Sequence, residues 1–180
     1  MKIILKKIIY DFILVFLNYF VAYIPCWPLR KLFYLVFGMK IGRNTRINQR
    51  VFIYNPWNIR IASNTIINSF VILDGRGGLE IGSNTSISMR SVVYTASHRT
   101  NSELFEYYEK PTVIGDGCWI GVGAVVLPGS ILADNTVIGA TSVFRGSSEP
   151  NGIYVGNPAI FFKHRELKKA ISLDFLEFFT

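Results

Sequence analysis

The chain contains two histidines, and the surroundings of one of them could support acid–base chemistry. His98 ends the run Tyr-Thr-Ala-Ser-His, directly before a loop that covers residues 99–112. A histidine titrates near neutral pH, so an imidazole held in a fixed position beside a loop suits a general base. His164 lies in a polar C-terminal segment that has no such loop. We predict that His98 is catalytic; the alternative is that it only packs at the end of a repeat.

The residues before and after this loop repeat with a period of six. An aliphatic or aromatic residue leads each hexad, in five groups of three: Ile41, Ile47, Ile53; Ile61, Ile67, Leu73; Ile81, Ile87, Val93; Ile114, Ile120, Val126; Leu132, Ile138, Phe144. Such a period is typical of a parallel β-helix, in which each short strand stacks on the strand one coil below. The sequence therefore predicts an all-β solenoid of about five coils, with the leading residues inside. Glycines such as Gly82 and Gly121, which follow leading residues, are expected to allow positive φ at corners.

Departures from the period mark one edge of this predicted prism. The coils begin at Ile41, Ile61, Ile81, Ile114 and Leu132, whereas three clean hexads would need about 18 residues per coil. The extra residues all follow a third hexad, near residues 56–57, 75–78 and 99–112. Because successive coils stack at roughly 4.8 Å, the three insertions should lie above one another. We expect that edge to carry the active site.

The polar and aromatic residues near this edge are of the types that bind sugars. Trp57, Asn68 and Asp74 combine an aromatic face with amide and carboxylate groups. Asn68 has an equally simple alternative role as a corner residue that hydrogen-bonds its own turn. In the long loop, Glu103, Glu106 and Glu109 are candidates to orient His98, and the sequence does not choose among them.

Composition excludes several other classes of protein. A chain of 180 residues has room for one domain with a substantial core. The net charge of +7 is spread over scattered Lys and Arg residues without a nucleic-acid-binding motif, so we expect no nucleic acid partner. Cys26 and Cys118 form no metal or redox motif, and we expect no metal.

Residues 1–40 differ in character from the repeat. Lys2, Lys6 and Lys7 precede an apolar run at residues 8–24, and a second helical segment at residues 29–37 ends at Gly38. On a helix, Lys7, Asp11 and Asn18 share one face, which makes the first segment amphipathic rather than membrane-spanning. Two roles stay open for residues 1–37: capping the lower end of the solenoid, or contact with an anionic membrane surface.

Six short motifs, in order, resemble the hexapeptide acyltransferases, and within them the sugar O-acetyltransferases of the galactoside, maltose and capsule-modifying types. They are the segments 81–85 (IGSNT), 94–98 (YTASH), 114–121 (IGDGCWIG), 126–129 (VLPG), 138–140 (IGA) and 156–159 (GNPA). The resemblance covers about residues 41–165. It implies a left-handed β-helix, acetyl-CoA as the donor substrate, and a homotrimer with active sites between subunits.

The resemblance also implies roles for individual residues. Asn68 and Asp74 are the nearest matches to residues that bind the acceptor. Matches to the donor site, where small residues flank pantetheine and basic residues meet phosphates, are Trp119, Gly121, Ala140, Arg145, Lys163 and Arg165. The usual Thr-Lys pair after the last coil is absent here, and Arg145 is its substitute.

These observations divide the chain into residues 1–40, a β-helix at 41–160, and a tail at 161–180 with a helix predicted over residues 161–171. The resemblance indicates transfer of an acetyl group to a saccharide hydroxyl, for a surface polysaccharide or its precursor, by a cytoplasmic enzyme at or near the inner face of the membrane. The alternatives are N-acetylation of an amino sugar or antibiotic, a γ-carbonic anhydrase, which would need three histidines per zinc, and a non-catalytic scaffold.

Overall fold

The computed structural model describes residues 2–173 and consists of a helical cap followed by a parallel β-helix. The cap contains α1 (Lys2–Tyr19), a 3₁₀ turn (Val21–Tyr23) and α2 (Trp27–Val36). The strands are β1 (Lys40–Ile41), β2 (Arg46–Ile47), β3 (Phe52–Tyr54), β4 (Ile59–Ile61), β5 (Ile66–Ile67), β6 (Ile72–Asp74), β7 (Leu79–Ile81), β8 (Ser86–Ile87), β9 (Val92–Val93), β10 (Ala96–His98), β11 (Tyr107–Glu109), β12 (Thr112–Ile114), β13 (Trp119–Ile120), β14 (Val125–Val126), β15 (Ile131–Leu132), β16 (Val137–Ile138), β17 (Val143–Phe144), β18 (Gly152–Gly156) and β19 (Ala159–His164).

The strands form three walls of a prism. Wall 1 contains β1, β4, β7, β12 and β15; wall 2 contains β2, β5, β8, β13, β16, β18 and β19; wall 3 contains β3, β6, β9, β14 and β17. Within each wall the coils pair in parallel and the leading residues of the hexads are in register, as in the pairs Ile41 with Ile61 and Ile81 with Ile114. This arrangement confirms the solenoid and the three-hexad coil.

The interior of the prism is filled by the leading residues of the hexads. Fourteen of the fifteen are buried, and Ile41 in the lowest coil is half-buried. The buried threonines at the fifth hexad position are also satisfied, because Thr65 donates its hydroxyl hydrogen to the Gly82 carbonyl at 2.7 Å and Thr85 donates to the Gly115 carbonyl at 2.9 Å. Because each hydroxyl bonds to the next coil, these polar groups reinforce the stacking at little desolvation cost.

The prediction of positive φ at the glycines that follow leading residues is wrong. Positive φ occurs two positions later, for example at Asn64, Asn84 and Gly117. Gly82 is small for a different reason, since a Cβ there would lie 2.5 Å from the Gly115 carbonyl carbon in the coil above. The close approach of successive coils at the corner therefore requires glycine, and asparagine adopts the left-handed conformation.

The two helices cover the lower end of the β-helix and satisfy its open strand edges. The Asn18 side chain bonds both backbone groups of Ile53, donating to the carbonyl at 2.9 Å and accepting from the N–H at 2.8 Å. The fully buried Arg30 guanidinium donates to the Ile47 carbonyl at 3.0 Å, and Lys31 donates to the Gly42 carbonyl at 3.1 Å. These side chains replace the strand that the lowest coil lacks.

The helix predicted over residues 161–171 is wrong. Residues Ala159–His164 form β19, which folds back on β18 in antiparallel pairing, and no helix follows up to Leu173. The uppermost coil offers unpaired backbone groups, and an extended segment satisfies them where a helix would not. The remainder of the predicted tail, residues 174–180, lies outside the described residues.

The helices of the cap are too short or insufficiently apolar to be membrane spans. Within residues 2–173, no helix combines the length and the hydropathy that crossing a bilayer requires.

Replacing Asn18 by Ala should destabilise the protein, because the Ile53 N–H and carbonyl lose their partners in a buried position. Two unsatisfied backbone groups cost about 2 to 6 kcal/mol together. Urea unfolding followed by circular dichroism measures the change, and Asn101→Ala in the exposed loop is the matched control. Equal stability of the two variants would contradict this account of the cap.

Candidate active site

The three insertions lie along one edge of the prism, between walls 3 and 1, as their spacing predicts. We call it the loop edge: the 3₁₀ turn Pro56–Asn58, the turn at residues 75–78, and residues 94–111, which include the β10–β11 hairpin. Hydrogen bonds tie its levels together. The Gly75 N–H donates to the Tyr54 carbonyl at 2.9 Å, and the Gly77 N–H donates to the Thr95 hydroxyl at 2.8 Å.

His98 lies on β10 of this hairpin, with its imidazole exposed to solvent. Its Nδ1 is 2.5 Å from the Phe105 carbonyl oxygen. Because a carbonyl only accepts hydrogen bonds, Nδ1 holds the proton of the neutral ring, and Nε2 keeps a free lone pair. A histidine in this tautomer, with one nitrogen anchored, can accept a proton from a substrate at the other.

No loop glutamate orients His98 in this structure. Glu106 pairs with Arg99, with 3.5 Å between the charged atoms, and Glu109 accepts a hydrogen bond from the Tyr107 hydroxyl at 2.6 Å. The orienting group is the backbone carbonyl of Phe105. Side-chain patterns contain no signal for it, because it depends on where the hairpin turns.

The hairpin and the last coil border a cleft of about 720 Å³. Its lining includes His98, Lys110 and Arg145. Arg145 reaches the cleft because it follows β17 at the top of the same edge, three coils above Asp74. Glu103, Glu106 and Glu109 line the same cleft, so Lys110 and Arg145 offer a phosphate group local contacts and do not make the whole cleft positive. Lys110 was not predicted from the sequence, since nothing distinguishes it from the other charges of the loop.

Asp74 lies below His98 on the loop edge, and its carboxylate is fully buried. It accepts hydrogen bonds from the Arg76 N–H, Nε and Nη2 and from the Thr95 N–H, at 2.9 to 3.0 Å. Burial acts to raise the pKa of Asp74, but the bonds from Arg76 and Thr95 outweigh it and hold the pKa below the usual range. Asp74 is therefore an ionised anchor of the edge in this chain.

The other two residues predicted to bind the acceptor lie apart from His98. Asn68 follows β5 on the edge between walls 2 and 3, where it donates to the Ile87 carbonyl at 3.0 Å. Asn68 is thus a corner residue, but it bonds to the next coil and not to its own turn as the alternative supposed. Trp57 is on the loop edge but in the lowest coil, and its ring meets Tyr10 of α1 at 5.8 Å.

Three of the residues predicted for the donor site cluster at the edge between walls 2 and 3. Trp119 is exposed on wall 2 and donates to the Ser88 hydroxyl at 3.0 Å. Gly121 and Ala140 are stacked so closely that a Cβ on Gly121 would lie 2.5 Å from the Ala140 nitrogen. Within one chain these residues are on a different edge from His98.

The basic residues at the end of the β-helix have separate surroundings. Arg165 lies at the edge between walls 1 and 2 and donates to the Gly117 carbonyl at 3.0 Å; burial lowers the pKa of its guanidinium. Lys163 is exposed on β19, with its ammonium 5.8 Å from the Phe162 ring centre. Arg165 therefore ties the tail to the β-helix, whereas the side chain of Lys163 is exposed to solvent.

The described residues do not form a metal centre, and Cys118 is not a reactive thiol. Residues 2–173 contain no group of three or more His, Cys, Asp or Glu side chains placed to hold a metal ion. Burial raises the pKa of the Cys118 thiol to about 12, so the thiol stays protonated at neutral pH. Of the side chains on the cleft that could act as a base, His98 is the one with a ring nitrogen anchored on a carbonyl; Glu106 and Glu109 are paired with Arg99 and Tyr107.

The family model for bacterial transferase hexapeptides (six repeats) matches residues 111–146. The chain is 35% identical over 130 residues to WcaF of Escherichia coli (strain K12), a protein assigned as a colanic acid biosynthesis acetyltransferase. The match covers 72% of this chain and 71% of WcaF. The chain therefore belongs to the hexapeptide-repeat acyltransferases, whose β-helices are left-handed.

Solved structures agree with this assignment. The hexapeptide-repeat acetyltransferase VCA0836 from Vibrio cholerae superposes with a TM-score of 0.77 at 26% identity, covering 82% of this chain and 86% of that protein. A maltose O-acetyltransferase from Clostridium difficile 630 gives a TM-score of 0.71 at 30% identity, with 78% and 76% covered. VCA0836 has also been solved in complex with acetyl-CoA.

Replacing Asp74 by Asn should destabilise the protein at pH 7, because the bonds from Arg76 and Thr95 lose an ionised acceptor. The expected loss is about 1.5 to 3 kcal/mol. The folded-state pKa of Asp74 is below its unfolded value of about 3.9, so this stabilisation is present above that pH and is lost as the pH falls through the folded-state pKa. Urea unfolding at pH 7 and at lower pH should show the gap closing on acidification. The control Glu80→Gln alters an exposed ion pair with Arg60, and a gap that widened in acid would contradict the assignment.

Proposed function

We propose that the protein transfers an acetyl group from acetyl-CoA to a hydroxyl of a saccharide, part of a surface polysaccharide or its precursor. The observation that supports this most directly is the exposed imidazole of His98, with Nδ1 anchored on a carbonyl and Nε2 free. The names of the relatives point to the same substrates, since WcaF is assigned to colanic acid biosynthesis and the Clostridium difficile enzyme is a maltose O-acetyltransferase.

In the proposed reaction, His98 Nε2 removes the proton of the sugar hydroxyl as its oxygen attacks the thioester carbonyl carbon. The resulting tetrahedral species collapses, the C–S bond breaks, and the protonated imidazole returns the proton to the sulfur of coenzyme A. The Phe105 carbonyl stabilises the imidazolium between these steps, because it accepts the Nδ1 proton throughout. No acyl-enzyme is required.

Lys110 and Arg145 are the residues that we propose to hold the phosphates of the donor. They line the same cleft as His98, and neither has a carboxylate partner among the described ion pairs. A phosphate-bearing donor would neutralise both cations, while its thioester end points towards the hairpin. Trp119, Gly121, Ala140, Lys163 and Arg165 remain predictions for the donor site, and Trp57 and Asn68 for the acceptor. Asp74 was also predicted for the acceptor, but its buried carboxylate is bonded to Arg76 and Thr95.

We also propose the homotrimer that is typical of the family. One outward ladder of wall 3 is apolar and only half-buried in the single chain; it consists of Phe52, Ile72, Val92, Val125 and Val143. A neighbouring chain packed there would cover it. Assembly would also bring a second edge, with Trp119 and Gly121, beside the loop edge of the next chain, which is the arrangement that the separated site residues need.

Replacing His98 by Ala should lower turnover by a factor of about 10² to 10⁴, because the attacking hydroxyl loses its base. The measurement is CoA release from acetyl-CoA against a panel of saccharides that includes amino sugars. Acetyl-CoA affinity, from calorimetry, should stay within about threefold. His164→Ala removes the other histidine of the chain and should keep full activity; retained activity in the His98 variant would refute the role. A preference for amines in the panel would support N-acetylation instead.

For the cap, we propose contact with an anionic membrane surface. Large apolar side chains project outward from α1, among them Ile8, Ile9 and Phe12, which are more than half exposed. In residues 1–40 there are six basic residues and one acidic residue. Arg30 and Lys31 are already bound to backbone carbonyls, so the attraction rests on the exposed side chains of Lys7 and Lys40. An apolar face with basic neighbours suits the interface of an anionic leaflet.

Replacing Phe12 by Asp should abolish co-flotation of the full-length protein with vesicles that contain phosphatidylglycerol. The charge would enter the apolar interface, whereas the control Ile160→Asp alters an equally exposed residue at the opposite end of the β-helix. Neutral phosphatidylcholine vesicles should bind less protein than anionic ones. Two results would overturn the proposal. The unsubstituted protein could stay in the soluble fraction with anionic vesicles, or the Phe12→Asp variant could still float with them.

A further inference from the structure

Below the imidazole of His98, a chain of contacts runs back to the buried Asp74. Asp74 holds the Arg76 guanidinium through two parallel bonds, from Nε at 2.9 Å and from Nη2 at 3.0 Å. The guanidinium carbon lies 4.9 Å from the Tyr54 ring centre and 5.9 Å from the Tyr107 ring centre. Tyr107 pairs with His98 across the hairpin, and their rings meet edge to face at 5.8 Å.

Because the hairpin is a separate two-stranded sheet, it needs such support. A two-stranded ribbon is marginally stable in water by itself. At its base, the Lys110 N–H donates to the Thr95 carbonyl at 2.8 Å. Further out, the described contact between β11 and the lower coils is the cation–π contact between Arg76 and Tyr107. The carbonyl that orients His98 belongs to Phe105, which lies in the turn of the hairpin two residues before Tyr107, the first residue of β11.

We propose that Arg76 is a positioning residue for His98 that acts through Tyr107, and that Asp74 affects the reaction only by locking Arg76. The four hydrogen bonds to Asp74 occupy the lone-pair directions of its carboxylate. A sugar hydroxyl could contact this buried carboxylate only by displacing one of them. Only a planar guanidinium can make the two parallel bonds to Asp74 and also stack on the tyrosine rings, so lysine is a poor replacement for Arg76.

The direct test is the tautomer of His98, which needs no acceptor. Long-range ¹H–¹⁵N spectra of the full-length protein contain signals from only two histidines, and a His164→Asn background leaves His98 alone. In the His164→Asn protein with Arg76 intact, we expect His98 to be a single tautomer, protonated at Nδ1. In Arg76→Met, Asp74→Asn and Tyr107→Leu we expect a mixture, with Tyr107→Phe restoring the single tautomer because it keeps the ring. Arg60→Met, at an exposed ion pair on wall 1, is the matched control.

The kinetic arm rests on the proposed function and uses acetyl-CoA with a saccharide accepted in the panel. Arg76→Met and Asp74→Asn should each lower kcat by about 10- to 100-fold and leave the KM of the saccharide within twofold, and the double variant should be no worse than either one. A single tautomer retained in Arg76→Met and Tyr107→Leu overturns the proposal. A higher saccharide KM in Asp74→Asn with unchanged kcat also overturns it, since that result indicates direct contact. If no saccharide is accepted, the proposed function fails while the spectra still decide this inference. Arg76→Lys, with the same expected mixture, replaces the methionine variant if that variant does not fold.

Discussion

Hydrogen bonding between coils, in a register of three hexads, is the constraint on which the rest of this structure depends. The strands of the three walls have only two or three residues each, apart from those at the upper end, and they are stable only because neighbouring coils satisfy their backbone groups. Extra residues cannot be absorbed within a wall without breaking that register. They have to leave at a corner, and in this chain they all leave at the same corner. The loop edge is thus a consequence of the stacking, and the position of His98 follows from the loop edge.

The same constraint explains which parts of the site follow from the sequence. The period of six fixes which residues face inward, and the breaks in the period locate the hairpin, so the fold and the place of His98 are accessible to pattern reasoning. The hydrogen-bond partner of the His98 imidazole cannot be predicted in this way. Phe105 contributes a backbone carbonyl whose position depends on the turn of the hairpin and on the pairing of Tyr107 with His98. The pattern of side-chain types along the sequence therefore does not predict this contact.

Residue type alone does not give the surroundings of a side chain. Asp74 has the chemistry of a sugar ligand, yet its carboxylate is buried and bound to Arg76 and Thr95. Arg165 has the charge of a phosphate ligand, yet it donates to the Gly117 carbonyl at a corner. The tail after Ala159 shows the same limit, because its strand is stabilised by the open edge of β18 and not by local propensity. For Arg165 and the tail, a partner distant in the sequence determines the outcome, whereas Asp74 is bound both by its neighbour Arg76 and by the distant Thr95.

The two ends of the β-helix solve the problem of unpaired strand edges in different ways, and this difference bears on function. At the upper end, β19 supplies backbone partners to β18. At the lower end, amide, guanidinium and ammonium groups on helices do so, which leaves the outward faces of those helices apolar. Trp57, on the loop edge, contacts Tyr10 of α1, so the cap continues directly into the edge that carries His98. With coils about 4.8 Å apart, the hairpin root in the third coil is about two coil heights above the lowest coil. The membrane contact proposed for the cap would therefore hold the loop edge near the lipid surface, where a lipid-linked acceptor would be presented.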